Sequence, residues 1–288
     1  MPLFTPKEMY SGLPTGKTCA IGAFNVHNME YTQAVVKAAE IENAPIVLMI
    51  GEPMIPFAGL DMLANICLFA AKRSAVPVAV TLDHGKSVTN IEACIKLGIS
   101  IMVDGSHLPF EENIRFTREF AEKAHSSGLS IEGELGSIGG SEDGDEVSPE
   151  RMTDPTAAKE FVERTGVDSL AIAIGNCHGL YIKPPQLDID RLIKIKKSVN
   201  VPLVLHGGSD LPDEISRDAI SEGIVKFNIG TDLKMAFCQS LKKTLNNEPM
   251  PFQPPAVLGP AREAAYETAR KKISLFGSCG IASQYRCT

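Results

Sequence analysis

The chain reads as an α/β protein of the (β/α)8, or TIM-barrel, class with one additional C-terminal helix. Three observations predict this. Strand-like apolar runs and helix-like stretches alternate about eight times along the sequence, which implies parallel βαβ units. The length of 288 residues suits such a barrel, which runs to about 250 residues as one domain. Polar groups able to do chemistry collect at the C-terminal ends of the apolar runs, where barrels of this class build their sites. The GxGxxG fingerprint of an open dinucleotide-binding sheet is absent after the first run. We therefore expect residues 1–288 to form a single domain, with a C-terminal helical extension at about 261–276.

The elements follow in order. Cys19 to Val26 is the first apolar run, and Ala34, Ala38 and Ile41 then mark one helical face at i, i+4, i+7. Pro45 to Ile50 is the second strand and Asp61 to Lys72 the second helix. Val78 to Leu82 is the third strand, entered at Pro77, where a missing N–H costs least. A helix from about Val88 to Leu97 leads to the fourth strand, Ile99 to Val103. Phe116, Phe120 and Ala124 share the next helical face, and Leu129 to Glu134 is the fifth strand. Gly136 to Thr153 shows neither period and is rich in glycine and acids, so it reads as a long functional loop. After it come a helix (Pro155 to Thr165), a strand (Ser169 to Ile174), a helix (Ile189 to Ser198) and a strand (Pro202 to His206). A helix near Glu214 to Glu222, the last strand (Ile224 to Ile229) and a helix from about Leu233 complete the pattern. Pro249 to Pro260 reads as an ordered linker before a final amphipathic helix, Ala261 to Phe276.

Composition bounds the function. Apolar residues make up 44% of the chain, enough for a sizeable core. The net charge of −7 and the absence of a basic block argue against nucleic acid as a partner. No apolar run reaches the roughly 20 residues that span a membrane, and Met1-Pro2-Leu3-Phe4 lacks the features of a signal peptide. The seven cysteines are scattered without CxxC spacing, which fits a reducing cytoplasm better than a disulfide framework. Cys177, next to His178, also allows a metal-ligand reading.

The centre of the argument is Thr81-Leu82-Asp83-His84-Gly85, where an apolar strand delivers a carboxylate and an imidazole at its tip. Neighbours on a strand face opposite ways, but at a tip the alternation relaxes and both groups can serve one cavity. Asp-His alone is common in loops. It gains weight because His178 and His206 also follow apolar runs, and three imidazoles with an open fourth position describe a catalytic zinc site. Asn25, Asp104, Glu132, Glu134 and Asn228 fall at the same strand ends. His27 and His107 read as backbone partners, and His125 as a helix C-terminal dipole partner. Phosphate chemistry is suggested by His206-Gly207-Gly208-Ser209 and by Asn228-Ile229-Gly230-Thr231-Asp232. They follow strands seven and eight, where glycine turns and a helix N-terminus favour an anion. Gly179 adds a further N–H. The acidic loop Gly139 to Asp145 can close over a site with a carboxylate as general base, or be a solvated loop.

These residues carry a family resemblance. Ala23-Phe24-Asn25-Val26, Leu82-Asp83-His84-Gly85, Val103 through Phe110, Glu132-Gly133-Glu134-Leu135-Gly136 with Gly139-Gly140, His178-Gly179-Leu180-Tyr181, Leu205 through Ser209 and Asn228 through Thr231 together resemble class II, zinc-dependent ketose-bisphosphate aldolases. The likeness is to the fructose- and tagatose-bisphosphate subgroup and runs from about Ala20 to Phe276. The resemblance implies that His84, His178 and His206 hold Zn2+, with Asp104 and Glu134 as a possible second or displaced metal position. It implies that Asp83 exchanges a proton at the bond that breaks, and that Glu142 handles the proton on dihydroxyacetone phosphate. Asn25, Gly179, Gly207, Ser209, Asn228 and Thr231 would bind the substrate and its phosphate, beside a monovalent cation, Na+ or K+. A homodimer or homotetramer is implied as well.

The chain departs from the family's commonest pattern at several points. Ile50-Gly51-Glu52-Pro53 has no serine, Gly230 replaces an acid, Asp210 replaces a glycine, and Ile281 replaces a basic residue. These changes put the distal phosphate contacts in doubt, with Lys183 and Arg262 as possible replacements. Lys183, Lys226 and Lys234 are read only as charge or substrate contacts. A Schiff-base aldolase on the same barrel requires a lysine in strand six, and Ser169 to Ile174 has none. A non-catalytic barrel subunit predicts loss of a key group, and none is lost.

Overall fold

The computed structural model describes residues 3–16, 18–140 and 151–285. Eight parallel strands close into one barrel in chain order. They are β1 (Ile21–Asn25), β2 (Ile46–Gly51), β3 (Val78–Gly85), β4 (Ser100–Val103), β5 (Ile131–Leu135), β6 (Ser169–Ile172), β7 (Leu203–Leu205) and β8 (Ile224–Ile229). Register closes the ring at β1 and β8, where Ala23 pairs with Asn228. The predicted (β/α)8 barrel is therefore the observed fold.

Each strand is buried on both faces, which explains the continuous apolar runs. Outward residues such as Phe24, Leu48, Val80 and Leu82 pack under the helices. Inward residues form separate clusters, one of Ile21, Ala23, Val47, Met49 and Ala79 and another of Met102, Ala171 and Val204.

The helices are α1 (Pro6–Ser11), α2 (Met29–Glu42), α3 (Ile55–Ala58), α4 (Leu60–Arg73), α5 (Val88–Lys96), α6 (Phe110–Ser126), α7 (Pro155–Thr165), α8 (Ile189–Ser198), α9 (Asp213–Ser221), α10 (Thr231–Leu245) and α11 (Pro254–Leu275). Four differ from the sequence expectation, the short α3 being one that was not expected. The first, α1, was not expected. A Thr5–Glu8 capping box starts it, and its Met9 and Tyr10 plug the lower mouth of the barrel. The face of α2 is set by Val35, Ala38 and Ala39, whereas Ile41 is 61% exposed.

The final helix begins at Pro254, not Ala261, so residues 254–260 of the expected linker are helical. Proline in a first helical turn lacks only an N–H that would be unbonded anyway, and packing on α2 and α10 carries the helix through Pro260.

The long segment after β5 is tied at its base. Ser137 and Arg151 exchange backbone hydrogen bonds of 2.8 and 2.9 Å. Gly139–Gly140 forms a short parallel pair with Cys177–His178. Glu142, the expected loop carboxylate, lies outside the described residues.

Candidate active site

The site sits at the C-terminal mouth of the barrel, and a break in one strand shapes it. The β3–β4 register shifts between Leu82 and Gly85. His84 there adopts a left-handed backbone with φ of 50°, uncommon for a residue with a side chain. Such a bulge re-aims side chains. It lets Asp83 and His84, adjacent in sequence, face one cavity, as the strand-tip reading expected.

Three imidazoles meet there. His84 Nε2 lies 3.0 Å from His206 Nδ1. The ring of His178 is 4.8 Å from that of His84 and 6.1 Å from that of His206, centroid to centroid. One ligand atom from each falls within 4.8 Å of the others, and His84, Asp104 and Glu134 form a second such group. Cys177 belongs to neither. Its thiol donates to the carbonyl of His178.

The outer nitrogens have carboxylate partners. His84 Nδ1 is 3.1 Å from Asp104 Oδ2, and His206 Nε2 is 2.7 Å from Glu132 Oε1. Glu132 assigns the N–H of His206 to Nε2, so its Nδ1 lone pair faces Nε2 of His84 and the Nδ2 of Asn228 at 3.1 Å, while His84 Nδ1–H points to Asp104. A proton on His84 Nε2, or a metal cation in its place, satisfies this 3.0 Å contact. The donor set, three imidazoles with a carboxylate pair behind, fits a divalent metal of zinc's preference.

The charges agree. Burial alone would lower His84, but the charge of Asp83, with Asp104 and Glu134, outweighs it and holds its pKa well above 6.5. Burial, reinforced by His84 and His206, pushes His178 well below its ordinary value. Burial and the charge of Asp104 raise Glu134 to about 8. Burial would also raise Glu132, but the Lys226 ammonium and His206 hold it at about 2.

Asp83 is 1% exposed and gripped from two strands. Asn25 Nδ2 donates to Oδ2 at 2.8 Å and Asn228 Nδ2 to Oδ1 at 3.3 Å. Both asparagines thus touch the carboxylate, and each keeps a buried Oδ1 without a hydrogen-bond partner. Such orphaned acceptors in a mouth lined by polar groups suit a polar ligand.

Loops after β6, β7 and β8 are laced together beside the histidines. Tyr181, noted in sequence only as part of a motif and given no role, has a hydroxyl that donates to Gly207 O and accepts from Cys177 N, both at 3.0 Å. The Tyr181 N–H donates to Asp210, and the Asp210 N–H to Asp232. Ser209 Oγ accepts from the Asp232 N–H at 3.1 Å, joining the glycine turn to the start of α10. Gly207, at φ of 64°, lies against the Cys177 carbonyl, which a side chain would strike. Gly179, Gly207, Ser209 and Thr231 are thereby brought near His178 and Asn228.

Other expected contacts do not gather there. Lys183 is exposed, and Arg262 donates to Gln33 on α2 at 2.7 Å. Of the two roles read for Lys226, charge or substrate contact, only the first holds. Lys226 is 1% exposed inside the barrel and bonds Glu132, so it is not open for substrate contact. Glu52, in the stretch that lacks the expected serine, accepts from the backbone N–H groups of Lys86 and Ser87 and from Asn90, and so caps α5. His125 pairs with Asp168 at 3.0 Å, and His27 packs edge-on against Tyr31.

Known proteins resemble the chain in sequence and fold. The model of the class II fructose-bisphosphate aldolase family matches residues 13–281. A fructose-bisphosphate aldolase of Geobacillus stearothermophilus is 40% identical over 288 residues, covering 99% of this chain and 100% of that protein. The YdjI aldolase of Escherichia coli K12 superposes with a TM-score of 0.86 at 36% identity, over 98% of this chain and 100% of that one. A fructose-bisphosphate aldolase of Campylobacter jejuni, at 22% identity and a TM-score of 0.77 over 96% of each chain, shares the fold. With histidines, carboxylates and barrel in place and the family model spanning nearly the whole sequence, the chain belongs to the class II fructose-bisphosphate aldolase family and is an aldolase, a lyase.

Proposed function

We propose that the chain is a zinc-dependent aldolase that reversibly cleaves a ketose 1,6-bisphosphate, fructose or tagatose, to dihydroxyacetone phosphate and an aldehyde such as glyceraldehyde 3-phosphate. The observation that carries it is the convergence of His84, His178 and His206 beside Asp83, a carboxylate held by two asparagines. His84, His178 and His206 would hold the ion, with Asp104 and Glu134 as a second or displaced position. When bound, zinc supplies Lewis-acid polarisation of the substrate's ketone oxygen.

The chain's own groups do the rest. Asp83 takes the proton from the hydroxyl at the bond that breaks and returns it in condensation. Asn25 and Asn228 fix its two oxygens, so its unshared lone pairs face the cavity. Glu142 moves the proton on the carbon of dihydroxyacetone phosphate. It lies two residues beyond Gly140, which pairs with His178. Gly179, Gly207, Ser209 and Thr231 bind the phosphate through N–H and hydroxyl groups, with Na+ or K+ close by. Lys183 and Arg262 remain the choices for the distal phosphate. Another phosphorylated ketose is a second reading, favoured because Arg262 is engaged with Gln33 and Glu52 with α5. The same reading takes residues 1–288 as one catalytic domain working in the cytoplasm, without nucleic acid or membrane, as a homodimer or homotetramer.

The test is retro-aldol release of triose phosphate from fructose and tagatose 1,6-bisphosphate, before and after chelation and zinc restoration. Loss with chelator and return with zinc is expected, and the ratio of rates names the preferred epimer. Chelator-resistant cleavage would overturn the three-histidine assignment. No cleavage of either sugar would move the search to other phosphorylated ketoses.

A further inference from the structure

Beneath the histidines the barrel interior is mostly apolar, yet it holds a charged pair. Lys226 on β8 is 1% exposed and Glu132 on β5 is 4% exposed. Their charged atoms lie 2.7 Å apart, joining residues 94 positions apart in the chain. Burying two ions costs much of what their attraction returns, and apolar residues of equal volume often serve stability as well or better. The pair therefore calls for a role beyond holding the barrel together.

Its connection supplies one. Lys226 bonds Glu132 Oε2, and Glu132 Oε1 is 2.7 Å from Nε2 of His206. Ser169 donates to the same Oε2 at 3.3 Å. An ammonium can only donate, so it fixes which carboxylate oxygen faces away from the site. The other oxygen is left to accept from the imidazole. A neutral imidazole carries one N–H. With that N–H on Nε2, the lone pair is on Nδ1, which faces His84 Nε2 at 3.0 Å. Carboxylates commonly fix ligating histidines in this way, and here the carboxylate is itself anchored by a buried cation.

We propose that Lys226 is a positioning residue for the metal site: through Glu132 it holds His206 in the tautomer and ring orientation that turn Nδ1 toward His84. This rests on the reading that His84, His178 and His206 hold the metal. A purely structural pair would stabilise the barrel without setting the imidazole.

The test uses the full-length chain and two readouts that do not depend on activity. The first is the imidazole nitrogen NMR spectrum of metal-depleted protein, which reports the tautomer of His206 after assignment with His206→Ala. The second is zinc affinity by competition with a chromophoric chelator. The wild-type chain is expected to show Nε2–H on His206. The double variant Lys226→Met/Glu132→Gln removes both charges together and so avoids stranding either one. It is expected to fold, to lose the single Nε2–H form, and to bind zinc about 10–100-fold more weakly. Nδ1–H in the wild type overturns the proposal without any variant. So does a double variant with wild-type affinity and an unchanged tautomer. Failure of the metal reading looks different: wild-type chain and His206→Ala would then bind zinc equally poorly, whatever Lys226 does.

Discussion

Asn25 Nδ2 lies 2.8 Å from Asp83 Oδ2, a bond between the ends of β1 and β3 across 58 residues of chain. It holds a buried carboxylate in one rotamer beside three imidazoles. Hydrogen bonds to charged groups contribute about 1.5–3 kcal/mol, or roughly 10–100-fold in rate where they act on the transition state. Asn25→Ala should therefore lower kcat by about tenfold or more. Asp83→Asn should lower it by about 10²–10⁴-fold. The double variant should be no worse than Asp83→Asn alone, because the two act as a unit. Additive losses in steady-state kinetics would show that Asn25 acts independently, for example on substrate.

Metal binding should release protons. Burial would by itself lower His84, but Asp83, Asp104 and Glu134 outweigh it and keep its pKa well above 6.5 in the metal-free chain. A metal must displace that proton, so apparent zinc affinity should rise with pH through the neutral range and level off above the pKa of His84. Calorimetry in buffers of different ionisation enthalpy measures the protons released. Affinity independent of pH from 6 to 8 (a range chosen about the ordinary histidine value) would contradict the site as drawn.

Thiol reactivity should separate buried from exposed cysteines. Burial pushes both Cys67 and Cys94 up to about 12, whereas Cys238 is exposed. Native protein treated with iodoacetamide near neutral pH should be labelled at Cys238 at least about tenfold faster than at the other two, by peptide mass spectrometry. Comparable labelling of Cys67 would mean that α4 opens readily.

Among the ion pairs that tie the last helix to its neighbours, the one between Arg270 and Glu42 should titrate. Arg270 Nε is 2.7 Å from Glu42 Oε1, and this bond holds the Glu42 carboxyl below 4.5. A group with a depressed folded pKa adds stability above its unfolded value and loses it as pH falls through the folded one. Glu42→Gln should lower Tm by about 1–3 °C at pH 7. The gap should close as pH falls below 4.5, the ordinary value of the group. A gap unchanged down to pH 3 in thermal melts would place the effect elsewhere.

Much of the site was legible before the fold was seen. Asp83, His84, His178, His206 and Asn228 each end an apolar run, and parallel barrel strands carry their chemistry at that end. Glu142 also drew attention in sequence, although it lies outside the described residues. Glu132 was noted as polar on its strand, but its tie to Lys226 was not, and Tyr181 was noted only within a motif, with no role. A hydroxyl that bonds Cys177 N and Gly207 O has no local pattern to betray it. Pro254 through Pro260 misled for the opposite reason: proline clusters usually break helices, and only packing on α2 and α10 shows that this one does not.

By itself the sequence determined the barrel, the order of its units and which strand ends carry reactive groups. Burial on two faces makes a strand continuously apolar, and burial on one face makes a helix periodic, and both patterns are local. Only the tertiary structure decided how those ends meet. The bulge that turns Asp83 and His84 together, the 3.0 Å approach of His84 to His206 across 122 residues, and the Lys226–Glu132 pair all depend on register between strands far apart in the chain. That register exists only once the ring of strands has closed, because each strand's height is set by both of its neighbours.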